Sequence, residues 1–187
     1  MRLMIYGSRS FATTVAELAR DCGHEVAGMV DDVHSGAGVI GGLASALNEF
    51  EDCGIVLGIG YRDLAGRWKA WQRMKATGRP TPALVHPRAY VASTAHVGAG
   101  CVVMAGAIVD RAARLGEAVV VWPGACINHD CVVESNCSIS PNATVCGCAQ
   151  IGAGSFIGAG AAVVDHGLLL KLSHVRMLER YTIKAPA

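Results

Sequence analysis

Aromatic residues make up only 5% of this 187-residue chain, and proline occupies only six positions. A core built on Phe, Tyr and Trp is thereby excluded, and Val, Ile, Leu, Ala and Cys must fill the interior. An excess of one charge sign is also missing. Sixteen Lys and Arg face fifteen Asp and Glu, for a formal net charge of +1 with no basic block, so the footprint of a nucleic-acid binder is absent. No apolar run approaches the roughly 18 residues of a membrane span. The opening "MRLMIYGSRS" lacks the apolar core and cleavage site of a secretion signal and reads as a strand and a turn. A cytoplasmic protein is the expectation. Glycine is plentiful at 23 positions, and its abundance beside scarce proline argues for an ordered chain.

The eight cysteines include no CxxC motif and no second pair at zinc-ribbon spacing; Cys146-Gly-Cys148 is the tightest pair. Without a secretion signal they read as reduced thiols acting as small hydrophobes.

Residues 1–80 alternate strand-like and helix-like segments. "RLMIYG" reads as a buried strand, "SFATTVAELARDCG" as a helix with Ser10 as N-cap and Gly23 as its stop, and "HEVAGMVDD" as a second strand. "GVIGGLASALNEF" reads as a turn and short helix, and "CGIVLGIG" as a third strand. "YRDLAGRWKAWQRMKATG" is an amphipathic helix with Leu64, Trp68, Trp71 and Met74 on one stripe. Such alternation implies a small, Rossmann-like parallel sheet with ligands at the carboxyl ends of its strands.

From Val85 the period changes. Val85, Val91, Val97, Val103, Val109, Leu115, Val121, Ile127, Val133, Ile139, Val145, Ile151, Ile157 and Val163 recur every six residues, and the slot four positions later is small, with Val119 the largest occupant. A hexapeptide solenoid has this period. Each hexad makes one short strand and one corner, and three hexads close a coil whose aliphatic slots fill the prism. Cys101, Cys131 and Cys137 occupy the small slot, and Gly98, Gly116, Gly152 and Gly158 follow the aliphatic, where a bend is expected.

These hexads, in the order parallel α/β domain then solenoid, resemble the left-handed β-helix acyltransferases. The similarity is to the sugar acetyltransferases that include sialic acid O-acetyltransferases and N-acetyltransferases of nucleotide-linked 4-amino sugars. "LVHPRAYVASTAHVG", "INHDCVV", "SISPNATVCG" and "IGAGSFIGAGAAVV" carry it. The resemblance implies a left-handed β-helix over residues 81–165, a nucleotide-sugar domain over 1–80, a tail over 166–187, and a homotrimer. Val102, Val120 and Trp122, expected on an exposed flat face, also point to a partner subunit.

His129 falls outside both inward slots and should project from the prism. Its column at 18-residue spacing is Ser93, Arg111, His129, Gly147, Asp165. Asp130 could orient the imidazole, and Gly147 offers a backbone N–H with no side chain in the way. The resemblance implies the same assignment: His129 as general base, Asp130 as its acidic partner, and the Gly147 amide on the thioester carbonyl. It also implies acetyl-CoA as co-substrate, no metal, and direct attack with no covalent enzyme intermediate. Ser138 stands where many relatives carry a second histidine near the acetyl group.

In the first domain, Gly7, Ser8, Arg9 and Ser10 lie in the loop "YGSRSFA", whose N–H groups, hydroxyls and guanidinium could hold an anion. Relatives have glycine at Ser10 and histidine at Phe11. The resemblance places Asp31 and Asp32 against the base or sugar and Gly60, Tyr61 and Arg62 along the pocket. His86, which matches a frequent family histidine, reads as structural. The end of the chain departs from the family: "DHGLLLKLSHVRMLERYTIKAPA" replaces its last coil, although Arg176 in "SHVRML" is retained. Lys171, Arg176, Arg180 and Lys184 could meet the phosphates of coenzyme A or form the solvated face of a terminal helix.

The sequence thus reads as an acetyl-CoA-dependent N-acetyltransferase acting on a nucleotide-linked amino sugar for surface-polysaccharide or glycan assembly. Sugar O-acetylation stands beside it, because His129 serves either nucleophile. Two further classes remain: a non-catalytic nucleotide-sugar scaffold, and a zinc enzyme of the carbonic anhydrase type using His86, His96 and His129.

Overall fold

A computed structural model describes residues 1–183; Lys184, one of the cations considered for coenzyme A, lies outside the described residues. The chain forms two compact units, Met1–Leu84 and Val85–Ala187.

The first unit is a four-stranded parallel sheet in the order β3-β2-β1-β4. It comprises β1 (Arg2–Tyr6), α1 (Ser10–Asp21), β2 (Glu25–Val30), β3 (Val39–Gly41), α2 (Leu43–Glu49), β4 (Gly54–Leu57), a 3₁₀ turn (Tyr61–Asp63) and α3 (Leu64–Lys75). The β3 strand was read from sequence as part of a turn; it is three residues long, too short to show alternation. Ser10 is the first helical residue rather than the cap, a position taken by Arg9 with no side-chain cap bond. Gly23 does end α1. Its φ is +78°, its N–H bonds the Arg20 carbonyl and the His24 N–H bonds that of Ala19, the two bonds of a Schellman stop. Trp71 and Met74 of the α3 stripe are fully buried, together with Arg67, whose Nε donates to the Ile59 carbonyl at 2.9 Å.

The second unit is the solenoid. Its two-residue strands stack into three parallel sheets. One runs from His96–Val97 to Leu168–Leu169, the second includes Val102–Val103 through His174–Val175, and the third runs from Tyr90–Val91 to Arg180–Tyr181. Partners lie 18 residues apart, as in Cys126↔Thr144 and Val120↔Ser138. The second residue of each strand points inward. Val103, Val109, Val121, Ile127, Val133, Ile139 and Val145 are all at 0% exposure, and each such burial contributes roughly 1.5–3 kcal/mol. The narrow fifth slot is buried too, and its thiols find acceptors: Cys101 Sγ donates to the Gly116 carbonyl at 2.9 Å and Cys131 Sγ to the Cys146 carbonyl at 3.0 Å.

Two expectations are corrected here. The bend does not use the glycine after the aliphatic. It uses the residue two places further on, which is left-handed at each corner from Gly100 to Leu178; Ala112, Asp130, Cys148 and His166 have φ of 56°, 58°, 57° and 56°. Gly116 is needed for another reason, since a Cβ there would lie 2.7 Å from the Ser135 nitrogen of the next coil. The second correction concerns the end of the chain. Residues 166–183 are not a tail or terminal helix but continue the winding, with Gln150↔Leu168, Phe156↔His174 and Ala162↔Arg180 in register. Leu169 and Val175 keep the inward slot at 1% exposure. The coil taken to be missing is present.

Val102 and Val120 are not an exposed patch. They are buried at 1% and 2%, and Trp122 is half-buried with its Nε1 donating to Ser138 Oγ at 3.1 Å. That stretch of wall is already covered within one chain. His86 is structural in part: its Nδ1 accepts the Arg88 N–H at 2.9 Å. Among the described residues no helix is long and apolar enough to cross a membrane.

Candidate active site

The corner between Cys126–Ile127 and Val132–Val133 carries His129 and Asp130 outward. Hydrogen bonds between successive coils hold it. Asp130 N–H bonds the Arg111 carbonyl at 3.0 Å, Cys148 N–H that of His129 at 3.0 Å, and His166 N–H that of Gly147 at 2.9 Å. Arg111, His129, Gly147 and Asp165 therefore stack as the 18-residue column requires. Asp130 takes the left-handed position, which short polar side chains tolerate best after glycine.

Asp130 Oδ2 receives His129 Nδ1 at 2.9 Å and Arg111 Nη2 at 3.0 Å. The hydrogen bond from His129, with the Arg111 charge behind it, holds the Asp130 carboxyl below its ordinary value. An ionised carboxylate only accepts, so Nδ1 carries the proton and Nε2 is left as the open acceptor. The ring edge lies over Gly147. A Cβ at Gly147 would sit 2.7 Å from His129 Cε1, 2.8 Å from Nε2 and 3.1 Å from Asp165 Oδ1. The Gly147 N–H makes no hydrogen bond among the described residues. An oriented base, an unused amide and a bare peptide between them form the minimum apparatus for attack on a carbonyl.

Arg111 and Asp165 were visible in the column but carried no assignment. Sequence shows which residues stack; it does not show which way their side chains swing. His129, Asp130 and Cys148 also bring one nitrogen, one oxygen and one sulfur atom within 4.8 Å of one another. The bonds from His129 and Arg111 already occupy Asp130 Oδ2 and would compete with a cation at that oxygen. Burial pushes the thiols of Cys126 and Cys131 up, the latter to about 11, so neither supplies a thiolate at neutral pH.

Two of the expected cofactor contacts do not join this corner. Ser138 lies in the second sheet at 1% exposure with its oxygen engaged by Trp122. Arg176 follows Val175 at the end of that same sheet, exposed. Arg180 instead lines an open groove of about 420 Å³ with Cys146, Ala162, Val164, Asp165 and Thr182.

In the first unit, the sheet order reverses between β1 and β4, and such a reversal places a crevice at the strands' carboxyl ends. Gly7 and Gly60 sit there. Gly7 has φ +126° and a Cβ on it would lie 2.8 Å from the Gly58 carbonyl oxygen; Gly60 packs over buried Phe11. Arg62 and Tyr61 are exposed beside them, and Arg9 reaches His34 Nε2 at 2.7 Å. The acid pair is already committed within the chain. Asp31 accepts from Ser8 Oγ at 2.6 Å and from the Val33 and His34 N–H groups at 2.9 Å each. Asp32 accepts from Tyr6 Oη at 2.6 Å, Arg73 Nη1 at 2.8 Å and the Leu43 N–H at 2.8 Å. Burial and the Asp32 contact keep the Tyr6 hydroxyl protonated, up to about 12.

Burial pushes the Asp31 carboxyl up, but the bonds from Ser8, His34 and Val33 together outweigh it and hold the group at about 2. The folded value is below the unfolded one, about 3.9, so the charged form stabilises the fold. That contribution, roughly 1–2 kcal/mol after solvent screening, is complete above pH ~4 and lost as the pH falls through about 2. Asp31→Asn should lower stability by that amount at pH 7, and most of the difference should vanish at about pH 2, as read by urea denaturation at the two values.

The comparisons with known proteins agree with this fold. A family model described as "PglD N-terminal domain" matches residues 2–73, and one described as "Bacterial transferase hexapeptide (six repeats)" matches 112–147. No curated protein matches. The acetyltransferase domain of PglB from Neisseria gonorrhoeae FA1090 superposes with a TM-score of 0.88 at 29% identity, covering 99% of this chain and 93% of that one. The same domain in complex with acetyl coenzyme A gives 0.81 at 30% identity, with 94% and 92% covered. A histidine-to-asparagine mutant of perosamine N-acetyltransferase from Caulobacter crescentus, in complex with CoA and GDP-perosamine, gives 0.73 at 26% identity, with 93% and 91% covered.

Proposed function

The chain belongs to the hexapeptide-repeat, left-handed β-helix acetyltransferases that modify sugars, and on that footing we propose that it moves an acetyl group from acetyl-CoA to the amino group of a nucleotide-linked amino sugar. The observation that carries this is the His129 ring, fixed by Asp130 through Nδ1 and presenting Nε2 over Gly147. His129 accepts the proton as nitrogen attacks the thioester carbonyl, help typically worth ~10²–10⁴ in rate. Asp130, braced by Arg111, keeps the tautomer and supports the imidazolium. The Gly147 amide donates to the oxyanion, and the C–S bond breaks as the intermediate collapses. The proton held on Nε2 passes to the leaving thiolate, so no residue is acylated.

Relatives bound to acetyl-CoA, or to CoA and GDP-perosamine, support both substrates. Gly7, Ser8, Arg9, Ser10, Gly60, Tyr61 and Arg62 line the crevice proposed for the nucleotide sugar, while Asp31 and Asp32 act by bracing its loops. Arg176 retains the proposed CoA role as an exposed cation of the last coil. Ser138 does not, because its oxygen is buried and engaged. The homotrimer stays in the proposal on the family likeness, without the Val102 and Val120 patch. A role in surface-polysaccharide or glycan assembly follows from the substrate class.

The test is a panel of UDP-, GDP- and TDP-linked amino sugars with acetyl-CoA, followed by released thiol. Turnover with at least one of them is expected. Thiol release that is no faster with any acceptor than without would overturn the reading.

A further inference from the structure

Asp165 is the residue this site holds beyond the His129, Asp130 and Gly147 set. It stands one coil beyond Gly147, as His129 stands one coil before it, and both side chains reach the space over that glycine. The point where a Gly147 Cβ would lie is 2.8 Å from His129 Nε2 and 3.1 Å from Asp165 Oδ1. Oδ1 takes no hydrogen bond among the described residues; the other oxygen, Oδ2, meets His166 Nε2 at a loose 3.4 Å. The side chain is 57% exposed, and it also lines the groove with Arg180, with which it makes no ion pair among the described residues. A free carboxylate oxygen therefore flanks, with the His129 nitrogen, the space over Gly147.

Resting on the acyl-transfer reading above, we infer that Asp165 selects a cationic amine as acceptor over a neutral hydroxyl. The two nucleophiles present different charge. A sugar amine arrives near neutral pH largely as R–NH₃⁺ and must first give one proton to solvent to expose its lone pair. On attack its nitrogen becomes positive again and sheds a second proton, which His129 Nε2 takes; the C–S bond then breaks and the thiolate leaves. A hydroxyl arrives neutral and sheds one proton only. A carboxylate beside Nε2 attracts the ammonium form and stabilises the positive nitrogen of the tetrahedral intermediate. To a hydroxyl it offers at most a neutral hydrogen bond, and it opposes the negative charge that develops on oxygen. Discrimination arises because one acceptor gains a partner and the other meets repulsion.

The experiment compares the full-length protein with its Asp165→Asn and Asp165→Glu variants. Acceptors are the nucleotide-linked 4-amino sugar found in the panel and its 4-hydroxy counterpart. Thiol release is followed with acetyl-CoA, and calorimetric binding of each acceptor without it. The inference expects Asp165→Asn to lose about 10–100-fold in kcat/KM toward the amine, mainly through KM, with matching loss of amine affinity. Turnover of the hydroxyl should not fall and should rise as the opposing charge is removed, the KM for acetyl-CoA should be unchanged, and Asp165→Glu should recover part of the amine preference. Equal losses with both acceptors, or no loss with the amine, would overturn it. Such a result leaves acyl transfer standing as long as His129→Ala remains inactive in the same assay. A wild-type protein that releases no thiol with either acceptor and binds both equally removes the acyl-transfer reading and this inference together.

Discussion

His129→Ala is expected to lower kcat/KM by about 10²–10⁴ while leaving the unfolding transition where it is. The size follows from the loss of the ring nitrogen held over Gly147 to take the leaving proton. The stability expectation follows from where the ring sits. Its side chain is 44% exposed and among the described residues bonds only Asp130, and the stacking of coils uses the His129 backbone carbonyl, which the substitution keeps. An outward side chain whose removal opens no cavity costs little. Thiol release and thermal unfolding measured on the same preparation separate the two effects. Full activity in the variant would move the base elsewhere, and a large fall in Tm would make the histidine a packing residue.

Gly147→Ala should also lower turnover, by about 10²–10³, again with the fold intact. The backbone at Gly147 is not left-handed, so alanine is conformationally allowed there. What alanine cannot do is share space with the imidazole. Its Cβ would press on Cε1 at 2.7 Å and Nε2 at 2.8 Å, closer than nonbonded carbon sits to ring atoms. The ring is partly exposed and would swing away, loosening the 2.9 Å bond to Asp130 and shielding the amide beneath. A displacement of about 1 Å at a reacting atom costs on the order of 10²-fold, and obstruction of an oxyanion donor costs a similar factor. The loss should fall on kcat, with acceptor KM nearly unchanged. A variant as fast as wild type would show that neither the ring position nor the amide matters.

The solenoid was legible because six-residue spacing has a single geometric meaning, and every inward slot from Val103 to Val163 is buried as its spacing required. Its last coil was not, for a physical reason. In residues 166–178 the left-handed corners carry His166, Leu172 and Leu178, bulkier than the Gly, Ala, Asp, Asn and Cys of the corners before them, and the leucine-rich run has helical propensity. Pairing with the coil below outweighs both, since Leu168 and His174 find ready-made strand edges at Gln150 and Phe156. At the site, the column of Arg111, His129, Gly147 and Asp165 was readable as a register. That Arg111 folds back onto Asp130, and that Asp165 leans over Gly147, depends on side-chain torsions that a repeat does not encode. Ser138 shows the converse. Its match to a family position said nothing of Trp122, whose indole N–H had to find a partner and found that oxygen.

The central claim is a placement: the acceptor nitrogen meets His129 Nε2 above the Gly147 amide. A crystal structure of this chain with CoA and the amino-sugar nucleotide identified in the panel measures it directly. The account predicts the amine within ~2.6–3.2 Å of Nε2 and the CoA sulfur at the same corner. An amine bound at either of the other two corners of the prism, with His129 facing only solvent, would contradict it.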